Sequence, residues 1–240
     1  MATSGLETII SLAGFRVTNT LIATLLVDAV IITLIFTLKK RISLVPGKYQ
    51  GIVESVIEYL YSTTEQVAGS RAPMIFPWVA IFFIYVAISN LLGLLPGFGT
   101  IGFSRGSDFV PLLRASTSDL NVTLALAVVS VIATHTLAIR TTGLGSYLKR
   151  FFALNPLLLF VGLMEIVQEV TKLLSFSFRL YGNISAGESV LGTMASISAF
   201  ILPVPFLALE ILVAVIQALI FSLLTLAFMS ILTETHSKSH

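Results

Sequence analysis

Six ionisable residues lie inside the last two long apolar runs of this chain: Glu165, Glu169, Lys172, Arg179, Glu188 and Glu210. A charge at the centre of a bilayer costs roughly 3 kcal/mol on insertion scales. Lipid exposure of all six would cost on the order of 18 kcal/mol. They must therefore face water, each other or another protein. Arg179 sits centrally among them. On a helix turning about 100° per residue, Ser175, Gly182, Ala186 and Ser189 share its side, with Asn183 close beside. Small side chains let another backbone approach closely. This face presents one positive charge in a shallow groove, where a close neighbour of opposite charge would fit. Glu188 falls roughly on the opposite side of the same helix.

The elements that must position these residues follow from hydropathy. Of 240 residues, 56% are hydrophobic and 11% are charged. A soluble domain carries about 25% charged residues. Five apolar runs are long enough to span a bilayer. The expected fold is all-α: a polytopic membrane protein in a single integral membrane domain, 1–240. It has five membrane-embedded helices, the last two long and strongly tilted, plus one amphipathic surface helix. The first three spans are expected at 21–38, at 74–95, and from a Ser116-Thr-Ser-Asp119 cap to about residue 139. The last two are expected from Pro156 to about residue 195 and at 206–232, after an outer turn at 201–205. The fourth run, about 40 residues, would be about 60 Å long against a hydrocarbon core of about 30 Å. It cannot stand upright. Between the first two spans, Ile52, Val53, Val56, Ile57, Leu60 and Val67 make an apolar stripe, with Glu54, Glu58 and Glu65 opposite. Its acidic face fits a protein partner better than lipid headgroups.

Charge placement orients the spans. Lys39, Lys40, Arg41, Lys48, Arg71, Arg140, Lys149, Arg150 and Lys238 fall on one side; Arg16, Arg105 and Arg114 fall on the other. By the positive-inside rule the N-terminus is outside and the C-terminus cytoplasmic. The first span reads as retained rather than as a cleaved signal. The fourth span then runs outward. Glu165 and Glu169 lie nearer the cytoplasm, Arg179 in the middle and Glu188 nearer the outside. Glu210 begins the returning span, and Gln217, seven residues on, shares its face. Acids on both sides of a central arginine are what two wet cavities divided by a positive barrier would need.

Several chemistries are excluded or unsupported. There is no cysteine, so disulfides and thiolate chemistry are ruled out. The net charge of +2 gives no case for nucleic acid. No Gly-rich phosphate loop is present. His236 and His240 lie in the tail and support no metal site, and no cofactor is expected.

The run Arg179-Leu-Tyr-Gly-Asn183-Ile-Ser-Ala-Gly187-Glu188 resembles the signature of subunit a of the F-type ATP synthase. Pro46-Gly-Lys-Tyr-Gln50, Ser89-Asn-Leu-Leu-Gly-Leu-Leu-Pro96, Ser118-Asp-Leu-Asn-Val-Thr123, and Glu210 with Gln217 are similar to that family in order and spacing. The first 40 residues match in hydropathy alone. The resemblance implies a stationary subunit that carries protons past a rotating c-subunit ring, alongside b-type peripheral stalk subunits. The bilayer would be an energy-transducing one, a bacterial inner membrane. It implies that Arg179 faces each ring carboxylate in turn and blocks direct leakage. Asn183, Asp119, Glu188 and Glu210 would line an outer half-channel, with Gln217 near Arg179, and Glu165 and Glu169 would line an inner one. Many members carry His where this chain has Glu210, or exchange residues between the two helices. The subunit would do no covalent chemistry itself.

Other readings of the same residues stay open. Arg179 could anchor an anionic substrate in a secondary transporter, although no internal repeat is evident. It could also pair with an acid of its own chain. Lys172 and Glu169, three apart, suit an internal ion pair. Gln217 could be an interhelical hydrogen-bonding group, and Glu188 could bond Glu210. His135 reads as a packing or interface residue, and Asp28 as a tolerated or partner-facing acid.

Overall fold

The computed structural model describes residues 8–12, 15–41, 43, 46–95, 102–105, 108–111, 113–145, 147, 156–198 and 201–234. The fold is helical, as expected. The helices are α1 (Asn19–Arg41), α2 (Lys48–Ala68), α3 (Ala72–Gly93), α4 (Leu120–Thr142), α5 (Pro156–Ile197) and α6 (Pro203–Thr233). Two short antiparallel hairpins accompany them: β1 (Thr8–Leu12) with β2 (Phe15–Thr18) before α1, and β3 (Gly102–Arg105) with β4 (Asp108–Pro111) between α3 and α4. Both fall in segments whose hydropathy marks no helix. Lys149, Arg150, Asn155, Pro96 and the tail with His236, Lys238 and His240 lie outside the described residues.

Among the described residues, four segments are long and apolar enough to cross a membrane: Asn19–Lys40, Lys48–Gly93, Leu120–Thr142 and Pro203–Thr233. The second contains both α2 and α3, which a single 3-10 turn at Gly69–Arg71 connects. α5 is not among the four, and its 42 residues carry Glu165, Glu169, Lys172, Arg179 and Glu188. α6 starts three residues before the expected 206, because Pro203 suits the first helical turn.

α3 and α6 form the centre of the bundle, and contacts between them show that they run antiparallel. Arg71 Nη1 donates to the Ser230 carbonyl at 2.8 Å, Phe82 packs on Phe221, and Asn90 Nδ2 reaches the Ala214 carbonyl at 3.4 Å. One buried cluster joins Leu60, Ile75, Val79, Leu137, Leu226 and Met229. A second joins Phe82, Val86, Ala127, Phe176, Leu180 and Phe221. Few large buried side chains and many small ones let these helices pack closely. α1 is peripheral; its buried positions are Asn19, Thr20, Ala23 and Val27. On α2, the expected apolar stripe buries Leu60 alone; Ile52, Val56, Ile57 and Val67 are exposed.

The turn Ser116–Ser118 before α4 is held by polar groups of α3. Ser89 Oγ and Ser116 Oγ are 2.5 Å apart, and Thr117 Oγ1 donates to Asn90 Oδ1 at 2.8 Å. Gly93 lies against Ala115, whose Cβ would be 2.5 Å from a Cβ at 93. So Ser89, Asn90 and Gly93 act together as one clamp.

Candidate functional site

α5 has two faces. Phe176, Leu180 and Ile184 are buried, with the Phe176 ring centroid 5.0 Å from that of Phe221 on α6. Ser175, Arg179, Gly182, Asn183, Ala186 and Ser189 are exposed on the adjoining face, with Asn183 at its edge toward α6. This is the stripe that the helical spacing predicts. A Cβ added at Gly182 would meet nothing within 4 Å. Arg179 Nη2 is 3.4 Å from Ser175 Oγ, one turn away. Among the described residues, no carboxylate forms an ion pair with Arg179.

Moving from Arg179 toward the C-terminal end of α5, the α5–α6 seam carries polar groups. Asn183 Nδ2 donates to Gln217 Oε1 at 2.8 Å, and Gln217 is 3% exposed. One turn further, the Glu210 carboxyl rests against the backbone of Gly187, where any Cβ would collide with it. Glu210 and Gln217 therefore share the α6 face that looks at α5. The pairs Asn183–Gln217 and Gly187–Glu210 also show that these helices are antiparallel.

Glu188 and Glu210 make no hydrogen bond to each other. Glu188 Oε2 instead accepts from Arg114 Nη2 at 3.2 Å and Nε at 3.3 Å. Sequence spacing had no means of finding Arg114, 74 residues away. Asp119, 7% exposed, caps α4: its Oδ1 accepts from Asn121 N at 2.9 Å. Its Oδ2 accepts from Thr20 Oγ1 of α1 at 2.9 Å. The expected N-cap is therefore present, and it also ties α1 to α4.

Toward the N-terminal end of α5 lies a second group. Lys172 Nζ is 2.5 Å from Glu169 Oε1, forming the internal ion pair that their spacing predicts. Lys172 Nζ also sits 4.0 Å above the Phe228 ring centroid, a cation–π contact. The second carboxylate oxygen of Glu169 faces His135 Nε2 at 3.5 Å. His135 Nδ1 is 2.7 Å from Tyr147 Oη. His135 is thus more than a packing residue. A hint existed, since Glu169 and His135 each lie in an apolar run, but which acid meets which base depends on how α4 packs on α5. Glu165, one turn before Glu169, is half-buried. A groove of ≈ 340 Å³ runs along this part of α5, lined by Lys172, Ser175, Arg179, Leu224 and Phe228 among others.

The arrangement has the Arg179 cation on an exposed face, polar seams on either side of it along α5, and no cluster among the described residues that could hold a metal ion. The family model described as ATP synthase A chain matches residues 20–230. The chain belongs to the ATP synthase A chain family. The ATP synthase subunit a of Legionella pneumophila (strain Paris) is 30% identical over 221 residues, covering 92% of this chain and 88% of the relative. The ATP synthase subunit a 1 of Hahella chejuensis is 32% identical over 212 residues, covering 88% and 82%. The subunit a of Moorella thermoacetica is 28% identical over 228 residues, covering 95% and 96%. In the ATP synthase A chain family, then, this chain is similar to its relatives over nearly its whole length. The matched stretch takes in every candidate residue from Asp119 to Gln217.

Proposed function

We propose that this chain is the ion-conducting stator subunit of a rotary, F-type ATP synthase in a bacterial inner membrane. Five helices are membrane-embedded: α1, α3, α4 and the long, tilted α5 and α6. α2 lies on the cytoplasmic surface, and its acidic face meets protein. The N-terminus is outside and the C-terminus cytoplasmic. A c-subunit ring turns against the exposed face of α5, and b-type peripheral stalk subunits hold the chain still. Arg179 meets each ring carboxylate and keeps it ionised as it passes. Protons reach the ring from outside past Glu188, Glu210, Asn183, Gln217 and Asp119, and leave inward past Glu169 and Glu165. The subunit carries out no covalent chemistry.

One observation supports this reading above the others: Arg179 is exposed on a small-residue face, and among the described residues no acid forms an ion pair with it. Leaving such a charge to lipid is costly. A passing carboxylate supplies the missing partner. Replacing Arg179 by Ala in the intact complex should leave assembly intact and abolish proton-driven ATP synthesis. Near-normal coupling would reject the reading.

A further inference from the structure

The Glu169 carboxylate has more cationic partners than charge balance requires. Lys172 already neutralises it at one oxygen, yet His135 Nε2 faces the other. With the imidazole neutral, the Glu169–Lys172 pair is complete. With it protonated, the added charge faces a carboxylate oxygen. Protonation would put two cations on one carboxylate, each facing its own oxygen, so the added charge is partly offset and the proton is held loosely enough to leave again. A merely structural histidine needs one state.

The fold builds this arrangement deliberately. α4 ends at Gly143, whose φ of 80° suits glycine. Its N–H bonds the Ile139 carbonyl at 2.9 Å, and the next turn brings Tyr147 N to the Gly143 carbonyl at 3.0 Å. That reversal folds the Tyr147 hydroxyl back onto His135 Nδ1. Among the described residues, Glu169 of α5 and Tyr147 beyond α4 face the imidazole; Lys172 of α5 pairs with the other oxygen of Glu169, and from α6 comes the uncharged Phe228 ring beneath Lys172. Lys172 lines the same groove as Arg179. Glu169 lies ten residues from Arg179, about 15 Å along the helix and about half the thickness of a hydrocarbon core. The cluster thus sits where a route from the middle of a bilayer would open.

We infer that His135 is a proton-binding residue at the mouth of the inner route, working opposite Glu169. This rests on the ion-conducting reading above. In the neutral imidazole Nδ1–H donates to the Tyr147 hydroxyl and Nε2 carries the free lone pair; a proton released by a ring carboxylic acid bonds to Nε2, giving an imidazolium ion-paired with Glu169. The same N–H bond then breaks to cytoplasmic water and restores the neutral ring. Tyr147 fixes the ring orientation through Nδ1.

The test uses the whole complex in vesicles, with passive proton conduction measured as a function of pH. His135→Gln should assemble, conduct several-fold more slowly and lose part of the pH dependence of the native complex. Tyr147→Phe keeps the imidazole and removes its Nδ1 partner; its pH profile should move. Native rates and profiles in both variants overturn the inference, and an unmoved Tyr147→Phe profile does so if His135→Gln fails to assemble. Arg179→Ala, run alongside, separates the two claims. If it abolishes coupling while both other variants behave as native, the inference about His135 falls alone. If it couples normally, the parent reading falls.

Discussion

Charge at the residue scale is decided by what lies within a few ångströms. Glu188 has Arg114 beside it, whereas Glu210 rests on the bare backbone of Gly187. The two acids are therefore not equivalent, although both are glutamates near the same end of the α5–α6 seam. On the proposed reading, Glu188→Gln should slow passive proton conduction through the complex; an unchanged rate removes Glu188 from the route. Gly187→Ala is a sharper probe. The added methyl collides with the Glu210 carboxyl, which must swing away from α5. Conduction should fall while assembly persists, and native conduction would show that the position of Glu210 is immaterial. The residue types at these positions were legible from spacing, because one helical face is fixed by a turn of about 100° per residue. Their partners were not. Arg114, Thr20 and Tyr147 reach Glu188, Asp119 and His135 from other segments, and no local rule brings those segments together.

Element by element, the long helices hold their register through small contacts and polar clamps. The Ser89–Asn90–Gly93 clamp fixes the start of α4, and thereby Asp119 and its bond to Thr20. Gly93→Ala would drive a methyl into Ala115. Overpacking of this kind costs about 1–3 kcal/mol. The expected outcome is a lower midpoint in thermal unfolding of the complex, with the turn at 115–118 displaced; an unshifted midpoint would mean the clamp yields freely. α5 itself depends on its apolar side. Phe176 packs between Phe221 and Phe228, at 5.0 and 5.8 Å. Phe176→Ala should cost about 3–5 kcal/mol, read as loss of assembled subunit in membranes, because the ring anchors the turn that carries Arg179. The length of α5 was legible from the distance between prolines. The beginning of α6 was not resolved to the residue, since Pro203 suits either a turn or a first helical turn.

At the scale of the molecule, the proposed reading makes a directional claim about which face meets the ring. The chain has no cysteine, so introduced pairs report cleanly. Cysteines at Gly182 or Ala186 should cross-link to cysteines placed on the neighbouring ring helices. A cysteine at Leu180, which is fully buried, should not. Cross-linking from Leu180 alone would put the ring on the wrong side of α5. On the proposed reading the energetics fit a rotor: one charge crossing about 100 mV yields about 2.3 kcal/mol, so the work of making ATP would be gathered over several small steps.

Composition and periodicity alone determined that this chain lies in a membrane, that its two C-terminal helices are long, and that Arg179 stands on a smooth face. Those properties follow from hydropathy and helical geometry, which act within one segment. The tertiary structure decided which acid has a partner and which rests on backbone. It also joined His135 to Glu169, which lies 34 residues on. Such pairings depend on how helices pack across their shared surface, and packing is settled by the shape and volume of many side chains at once.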